Sequence, residues 1–347
     1  MHHTLDRRSF FQAAALTPLS LPKKVRIGLV GLEGHSGEIL RHLRSLPDCE
    51  LVAAADPEEK AMARLAPSVR RYRDWREMIA TEKLDVAGIL GPNSERAERI
   101  VACASKKMHI VAEKPLAIER ADLERVKRAV ANNGVKLTML LPMRFAGPYL
   151  AMKQIVESGR IGEVAQIDAQ KSYQLGARAS WMMRRATFGG SIPYIGIHMV
   201  DLMRFISGRE FVETMSFQKH IGFPDYGEME NVTGSLFRLD NGGVGLLRMD
   251  YLRPAGATSH GDDRLRVAGT KGVVEFQDHT GVTLITATDK PHKIAGLPPT
   301  RSLFLDFLDS VYHGKPAGLS LADIYRVSEI VLTARESAEH RKLLRIT

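Results

Sequence analysis

Apolar residues follow two different rhythms along the chain. From Val25 to about Leu141, short unbroken apolar runs alternate with amphipathic stretches of helical period. The runs Val25 to Val30, Leu51 to Ala55, Asp85 to Leu90, His109 to Ala112 and Val135 to Leu141 read as strands buried on both faces. Helices are predicted over Glu38 to Leu46, Glu95 to Lys106 and Glu119 to Asn133, with Gly134 placed as the C-cap of the last. Strand and helix in alternation predict an α/β fold built on a doubly wound parallel sheet.

After about Pro142 the rhythm changes. A short helix over Leu150 to Ser158 is followed by segments alternating with period two: Val164 to Tyr173, Phe211 to His220, Asn231 to Leu239, Val244 to Tyr251, Arg264 to Ala268 and Val273 to Phe276. Asn241-Gly242-Gly243 and Gly269-Thr270-Lys271-Gly272 join neighbouring segments as hairpin turns. Between the first two strands, Gly189-Gly190 opens an apolar helical stretch that ends near Ser207-Gly208. Helices over Arg301 to His313 and Leu321 to Arg341 close the chain. This half predicts an α+β domain around a large, open, mostly antiparallel sheet. The expected division is a leader or flexible N-terminus over 1–22, a nucleotide domain over 23–142, and a substrate and oligomerisation domain over 143–347.

Composition changes this picture little. With 347 residues, 44% of them hydrophobic and 26% charged, the chain can bury an ordinary core. The formal charge of +9 is spread in short clusters without interleaved aromatics, so an anionic cofactor accounts for it and no nucleic-acid partner is expected. Cys49 and Cys103 share no metal or redox spacing and read as reduced or buried thiols. No stretch after the N-terminus is long and apolar enough to span a bilayer. The N-terminus itself, Asp6-Arg7-Arg8-Ser9-Phe10-Phe11-Gln12 before Ala13-Ala14-Ala15-Leu16, looks like a short twin-arginine export signal, so a periplasmic location is one expectation and a cytoplasmic one the alternative.

The candidate chemistry gathers at strand ends. Val25 to Val30 leads into Gly31-Leu32-Glu33-Gly34-His35-Ser36-Gly37 and then a helix, the strand–loop–helix context of a Rossmann dinucleotide site. The spacing G-x-x-G-x-x-G is one residue longer than the usual fingerprint. Asp56 ends the next strand about 20 residues on, placed for a ribose 2′-hydroxyl. Pro57-Glu58-Glu59 follow it, which favours NAD over NADP. Gly91-Pro92-Asn93 and Glu113-Lys114-Pro115 fall at the ends of further strands, beside the glycine loop. Downstream, Tyr194, His198 and Asp201 are spaced to share a helix face. Imidazole suits the proton transfer that alcohol oxidation requires, so His198 is the base candidate, and Asp201 reads either as orienting it or as making a structural helix hydrogen bond. Lys114 would stabilise developing alkoxide charge. Tyr194 reads either as a phenol of lowered pKa near Lys114 that relays a proton or as an apolar filler. Trp181, Arg184, Arg185 and Arg144 are candidate substrate contacts. His260-Gly261-Asp262-Asp263-Arg264 reads as a turn rather than a metal site.

In combination, Glu113-Lys114-Pro115, Gly159-Arg160-Ile161-Gly162-Glu163-Val164, the run from Gly189-Gly190 to His198-x-x-Asp201, and Arg264 to Gly272 resemble the glucose–fructose oxidoreductase, inositol dehydrogenase and rhizopine-catabolism family (Gfo/Idh/MocA) over roughly residues 24 to 345. The resemblance implies a nicotinamide-dependent dehydrogenase of a sugar, inositol or related polyol, often a dimer or tetramer joined through its open sheet. It implies Lys114 at the substrate and nicotinamide and His198 as the acid/base. The sequence departs from the family where an aspartate is expected four residues before the histidine; Tyr194 stands there. Two other readings follow from the resemblance: a glycosidase that retains NAD and acts by transient oxidation, and a sugar- or nucleotide-binding protein without catalysis.

Overall fold

The computed structural model describes residues 19–347, so the twin-arginine segment at Arg7-Arg8 lies outside the described residues. Six strands, β1 (Val25–Val30), β2 (Cys49–Ala55), β3 (Arg70–Tyr72), β4 (Val86–Ile89), β5 (His109–Ala112) and β6 (Leu137–Met139), form one parallel sheet. Their order is β3-β2-β1-β4-β5-β6. The order reverses between β1 and β4, and a ligand crevice opens beyond the carboxyl ends of strands at such a point. Helices α1 (Gly37–Leu43), α2 (Trp75–Thr81), α3 (Asn93–Ser105) and α4 (Arg120–Asn133) complete this half. β4 is apolar throughout, and β1 is so except for Arg26, because both faces are covered. The hydrophobic pattern did not reveal β3 or α2, since β3 is only Arg70-Arg71-Tyr72 at the sheet edge.

The second half begins with α5 (Gly147–Glu157) and β7 (Val164–Tyr173), then the short α6 (Arg185–Phe188) and α7 (Ile197–Ser207). Strands β8 (Phe211–Lys219), β9 (Val232–Leu239), β10 (Val244–Asp250), β11 (Gly261–Gly269), β12 (Gly272–Gln277), β13 (Gly281–Thr286) and β14 (His292–Lys293) follow. Then come α8 (Leu303–His313), α9 (Leu321–His340) and β15 (Leu344–Arg345). The nine strands lie in the order β14-β13-β12-β11-β7-β10-β9-β8-β15. All named pairs are antiparallel except β10 with β7. Residues 261–263 extend β11 and are not a turn: Gly261, Asp262 and Asp263 pair with Tyr173, Ser172 and Lys171. Helices α5, α7 and α9 cover one face of this sheet. Its other face leaves Phe217, Leu236 and Leu246 exposed. Cys49 and Cys103 are free and buried. No described helix is long and apolar enough to cross a membrane.

Candidate active site

Four loops at the carboxyl ends of the parallel strands build one wall of the site. Gly34, in the loop after β1, sits at φ +74°, a conformation that disfavours any side chain, and a Cβ there would lie 2.6 Å from Oε2 of Glu113. Glu113 follows β5 and reaches back to this loop. Its carboxylate accepts the backbone N–H of His35 at 2.8 Å and binds Nδ1 of the same ring at 2.8 Å. Burial works against the charge on Glu113, but the His35 bond and the charges of Lys114 and Arg96 outweigh it and bring the pKa down to about 2. Asp56, buried at the end of β2, accepts the backbone N–H groups of Leu32 and Glu58. It thereby shapes the glycine loop while its position suits a ribose. Gly37 opens on free space. Glycines, strand ends and Asp56 therefore form a cradle that fits a dinucleotide. Gly31, Gly34, Gly37, Asp56, Pro92, Asn93, Glu113 and Lys114 would line it.

The second wall comes from the stretch entering α7. Two long-range contacts dock it. Asn93 donates Nδ2 to the Phe188 carbonyl at 2.7 Å, and Lys114 donates Nζ to the Tyr194 carbonyl at 2.9 Å. Gly189 makes the approach possible, because a Cβ there would lie 2.3 Å from Ile118. Arg335 of α9 donates to the carbonyls of both Ile118 and Gly189 and pairs with Glu119 at 3.1 Å. A residue near the C-terminus thus clamps together the two motifs that carry the chemistry. Its place could not be read from the hydrophobic pattern, which marks α9 only as an amphipathic helix. Arg96 is another buried tie: it donates to Asn93 Oδ1, the Pro115 carbonyl and the Gly91 carbonyl.

Within the site Lys114 and His198 are neighbours, both buried. Burial lowers the Lys114 pKa to about 7, against the pull of Glu113. Burial, then the charges of Lys114 and Lys171, drive the His198 pKa well below its ordinary value, so the imidazole is neutral. Its Nδ1 has no hydrogen-bond partner, and its ring meets that of His35 edge-on with centroids 5.9 Å apart. The Lys114 ammonium lies 3.4 Å from the centroid of the Tyr194 ring. The Tyr194 phenol is therefore not activated by Lys114: the lysine meets its ring and carbonyl, and burial raises the phenol pKa to about 12.

Several side chains differ from their expected use. Asp201 does not orient His198. Its carboxylate is held by Nε and Nη2 of Arg144, deep in the fold. Arg144 in turn donates Nη1 to Asp323 and the Gly318 carbonyl, so four of its five N–H groups are spent on structure. Arg185 is likewise committed, to Glu230 and Glu339. Trp181 stands at the rim, edge-on to Tyr194, and donates Nε1 to Glu33 of the glycine loop at 2.8 Å. Sequence reasoning missed Lys171 and Asp263, a buried pair at 2.7 Å on adjacent strands β7 and β11. It also missed Arg178 and Tyr251, whose guanidinium and ring lie 4.7 Å apart. The only signal for Lys171 was a lysine at an inward position of an alternating strand.

This arrangement holds a neutral imidazole and an ammonium of near-neutral pKa beside a dinucleotide cradle, a pairing suited to moving a proton on and off a hydroxyl. Residues 25–141 match the family described as oxidoreductase family, NAD-binding Rossmann fold. Residues 149–275 match the GFO/IDH/MocA C-terminal domain. The chain is 24% identical to myo-inositol 2-dehydrogenase of Thermotoga maritima, over 93% of this chain and 98% of that one. It is 26% identical to inositol 2-dehydrogenase of Rhizobium meliloti, over 83% and 85%. A solved oxidoreductase structure from Thermotoga maritima superposes with a TM-score of 0.87 at 30% identity, covering 93% of this chain and 100% of that one.

Proposed function

The chain belongs to the GFO/IDH/MocA family of NAD-binding oxidoreductases, and from that premise we propose a dehydrogenase that oxidises a secondary hydroxyl of a sugar, inositol or related polyol. The observation that carries the proposal is the convergence of Lys114 and His198 beside the glycine-loop cradle, with Lys114 tied across to the Tyr194 carbonyl. NAD, when bound, supplies the hydride acceptor. His198 takes the hydroxyl proton: burial and the charges of Lys114 and Lys171 hold its pKa well below the ordinary value, and its Nδ1 is free of protein partners. Lys114, as ammonium, holds the oxygen on which charge develops. Tyr194 positions Lys114 through its ring and carbonyl, and Trp181 borders the substrate. Asp56, followed by Glu58 and Glu59, supports NAD over NADP, because a 2′-phosphate would face acidic groups.

Reduction of NAD, followed by absorbance across a panel of sugars, inositols and polyols, tests the reading. The expected result is turnover with at least one of them, lost by about 100-fold or more in His198→Ala while NAD still binds. Silence of an NAD-binding preparation across the panel would sink the dehydrogenase. Cleavage of aryl glycosides without net NADH would favour a retained-cofactor glycosidase instead.

Two further proposals concern the whole protein. The open face of the nine-stranded sheet, with Phe217, Leu236 and Leu246 exposed, supports a homo-oligomer joined through that sheet. Export on the Arg7-Arg8 segment is supported by its sequence, and the intact mass of the exported protein, short by the leader, is its test.

A further inference from the structure

Resting on the dehydrogenase reading, we infer that the substrate is a sugar acid, whose carboxylate is taken by Arg178 while its reacting hydroxyl lies at Lys114 and His198.

Every acid near the site is engaged. Glu113 is held by His35, Asp263 by Lys171, Glu230 by Arg185 and the Ser191 backbone, and Glu33 by the Trp181 indole. Three cations are not matched in this way: Arg96, whose guanidinium is spent on Asn93 Oδ1 and the Pro115 and Gly91 carbonyls, and then Lys114 and Arg178. Lys114 donates to a carbonyl, and Arg178 donates Nη2 to the Gln174 carbonyl at 3.1 Å. Among the described residues neither forms an ion pair with a carboxylate. The Nε of Arg178 is buried without a hydrogen-bond partner, and so is the hydroxyl of Tyr251, over whose ring the guanidinium lies. Lys114 has a place in the reaction. Arg178 has none there, yet a half-buried unpaired guanidinium is costly unless something compensates it.

The position of Arg178 decides what that partner is. It sits on the segment between β7 and α6, three residues before Trp181. Tyr251 and Tyr173 line the sheet side of the same space, with ring centroids 6.4 Å apart, and Lys171 lies 4.9 Å from the Tyr173 ring. The electrostatic influence of Arg178 reaches Lys114 and Tyr194, so it belongs to the same site. A planar guanidinium fork fits a planar carboxylate, and one unpaired cation balances one negative charge rather than the two of a phosphate monoester. A neutral sugar would leave the charge unmatched, which is how the site would discriminate against it.

The test compares kcat/KM with NAD for D-glucuronate and D-gluconate against D-glucose, myo-inositol and glucose 6-phosphate, at low and high salt. It is repeated on Arg178→Met and Arg178→Lys. Wild type should prefer the two carboxylates, and their KM should rise with salt while that of neutral sugars does not. Arg178→Met should lose roughly 10- to 100-fold in kcat/KM for the acids, mainly through KM, as expected for a lost charged hydrogen bond. Arg178→Lys should recover part of the loss. The affinity for NAD, measured by fluorescence, should change by less than about twofold in either variant. Three results would overturn the inference while leaving a dehydrogenase in place. These are equal or better turnover of neutral polyols with an acid-to-neutral ratio unmoved in Arg178→Met, a loss that tracks NAD affinity, or a preference for glucose 6-phosphate over the acids. If no compound reduces NAD, the dehydrogenase reading fails on its own account. Calorimetry of D-glucuronate against the NADH complex then decides, and an absence of binding heat refutes the carboxylate site.

Discussion

Lys114 shows at the scale of one residue how burial sets chemistry. Its folded pKa of about 7 lies far below that of a free lysine. If the ammonium is the working form, kcat should fall as pH rises through about 7, while neutral His198 adds no limb near its ordinary value. A rise through the same pH would make Lys114 the base and reverse the two roles. The same shift has a sign in stability. Between the folded and unfolded pKa values the unfolded chain binds one more proton, so the burial penalty is full below about pH 7 and is relieved as pH climbs towards 10.5. Lys114→Met should therefore raise the melting temperature at pH 6, lose that gain near pH 10.5, and abolish turnover at both. Tyr194 offers the complementary case. Its phenol is raised to about 12 and its ring faces the ammonium. Tyr194→Phe should keep kcat within about threefold of wild type, because the face that holds the cation is retained. Tyr194→Leu should lose it and move the pH limb set by Lys114. A large loss in the phenylalanine variant would restore the proton relay.

The glycine loop and α9 carry the argument at the scale of elements. Gly34, in the loop, and Gly37, the first residue of α1, lie three residues apart yet face different constraints. A Cβ on Gly34 would strike Glu113, whereas one on Gly37 meets open space. Gly34→Ala should lower both thermal stability and NAD affinity, the latter by about tenfold or more, since it strains the backbone and displaces the Glu113 anchor. Gly37→Ala should leave stability unchanged and weaken only NAD binding. Equal melting curves for the two variants would contradict the placement of Glu113. The positions of these glycines were legible in the sequence, because a strand, a glycine loop and a helix follow each other locally. The contact with Glu113, 79 residues away from Gly34, was not. Nor was the clamp of Arg335, whose partners Ile118 and Gly189 come from two other parts of the chain.

At the scale of the molecule, one sheet is covered on both faces and the other on one. The bare face exposes Phe217, Leu236 and Leu246 by 60%, 48% and 40% of their surface, a strip too apolar to be left in water without consequence. Leu236→Glu combined with Leu246→Glu should reduce the sedimentation coefficient to that of a single chain and leave the far-ultraviolet spectrum intact. A wild type that already sediments as a monomer would remove the proposed assembly. Alternation of exposed and buried positions predicted such a sheet. The parallel pairing of β7 with β10, which sets Lys171 opposite Met249, was beyond it.

Sequence alone determined what local physics controls: the strand–helix alternation, the hairpin turns, the glycine loop, and the two motifs that hold Lys114 and His198. Each depends on periodicity or on residues a few positions apart, where backbone sterics and burial act directly. Only the tertiary structure decided which charges neutralise each other. Arg144 and Arg185 looked available for substrate, but folding brings Asp201 and Glu230 to them, and a buried ion takes whatever opposite charge lies within reach. Arg178 attracted no notice in the chain, and it emerges as a cation without a carboxylate because folding sets it over the Tyr251 ring while its hydrogen bond goes to the local Gln174 carbonyl.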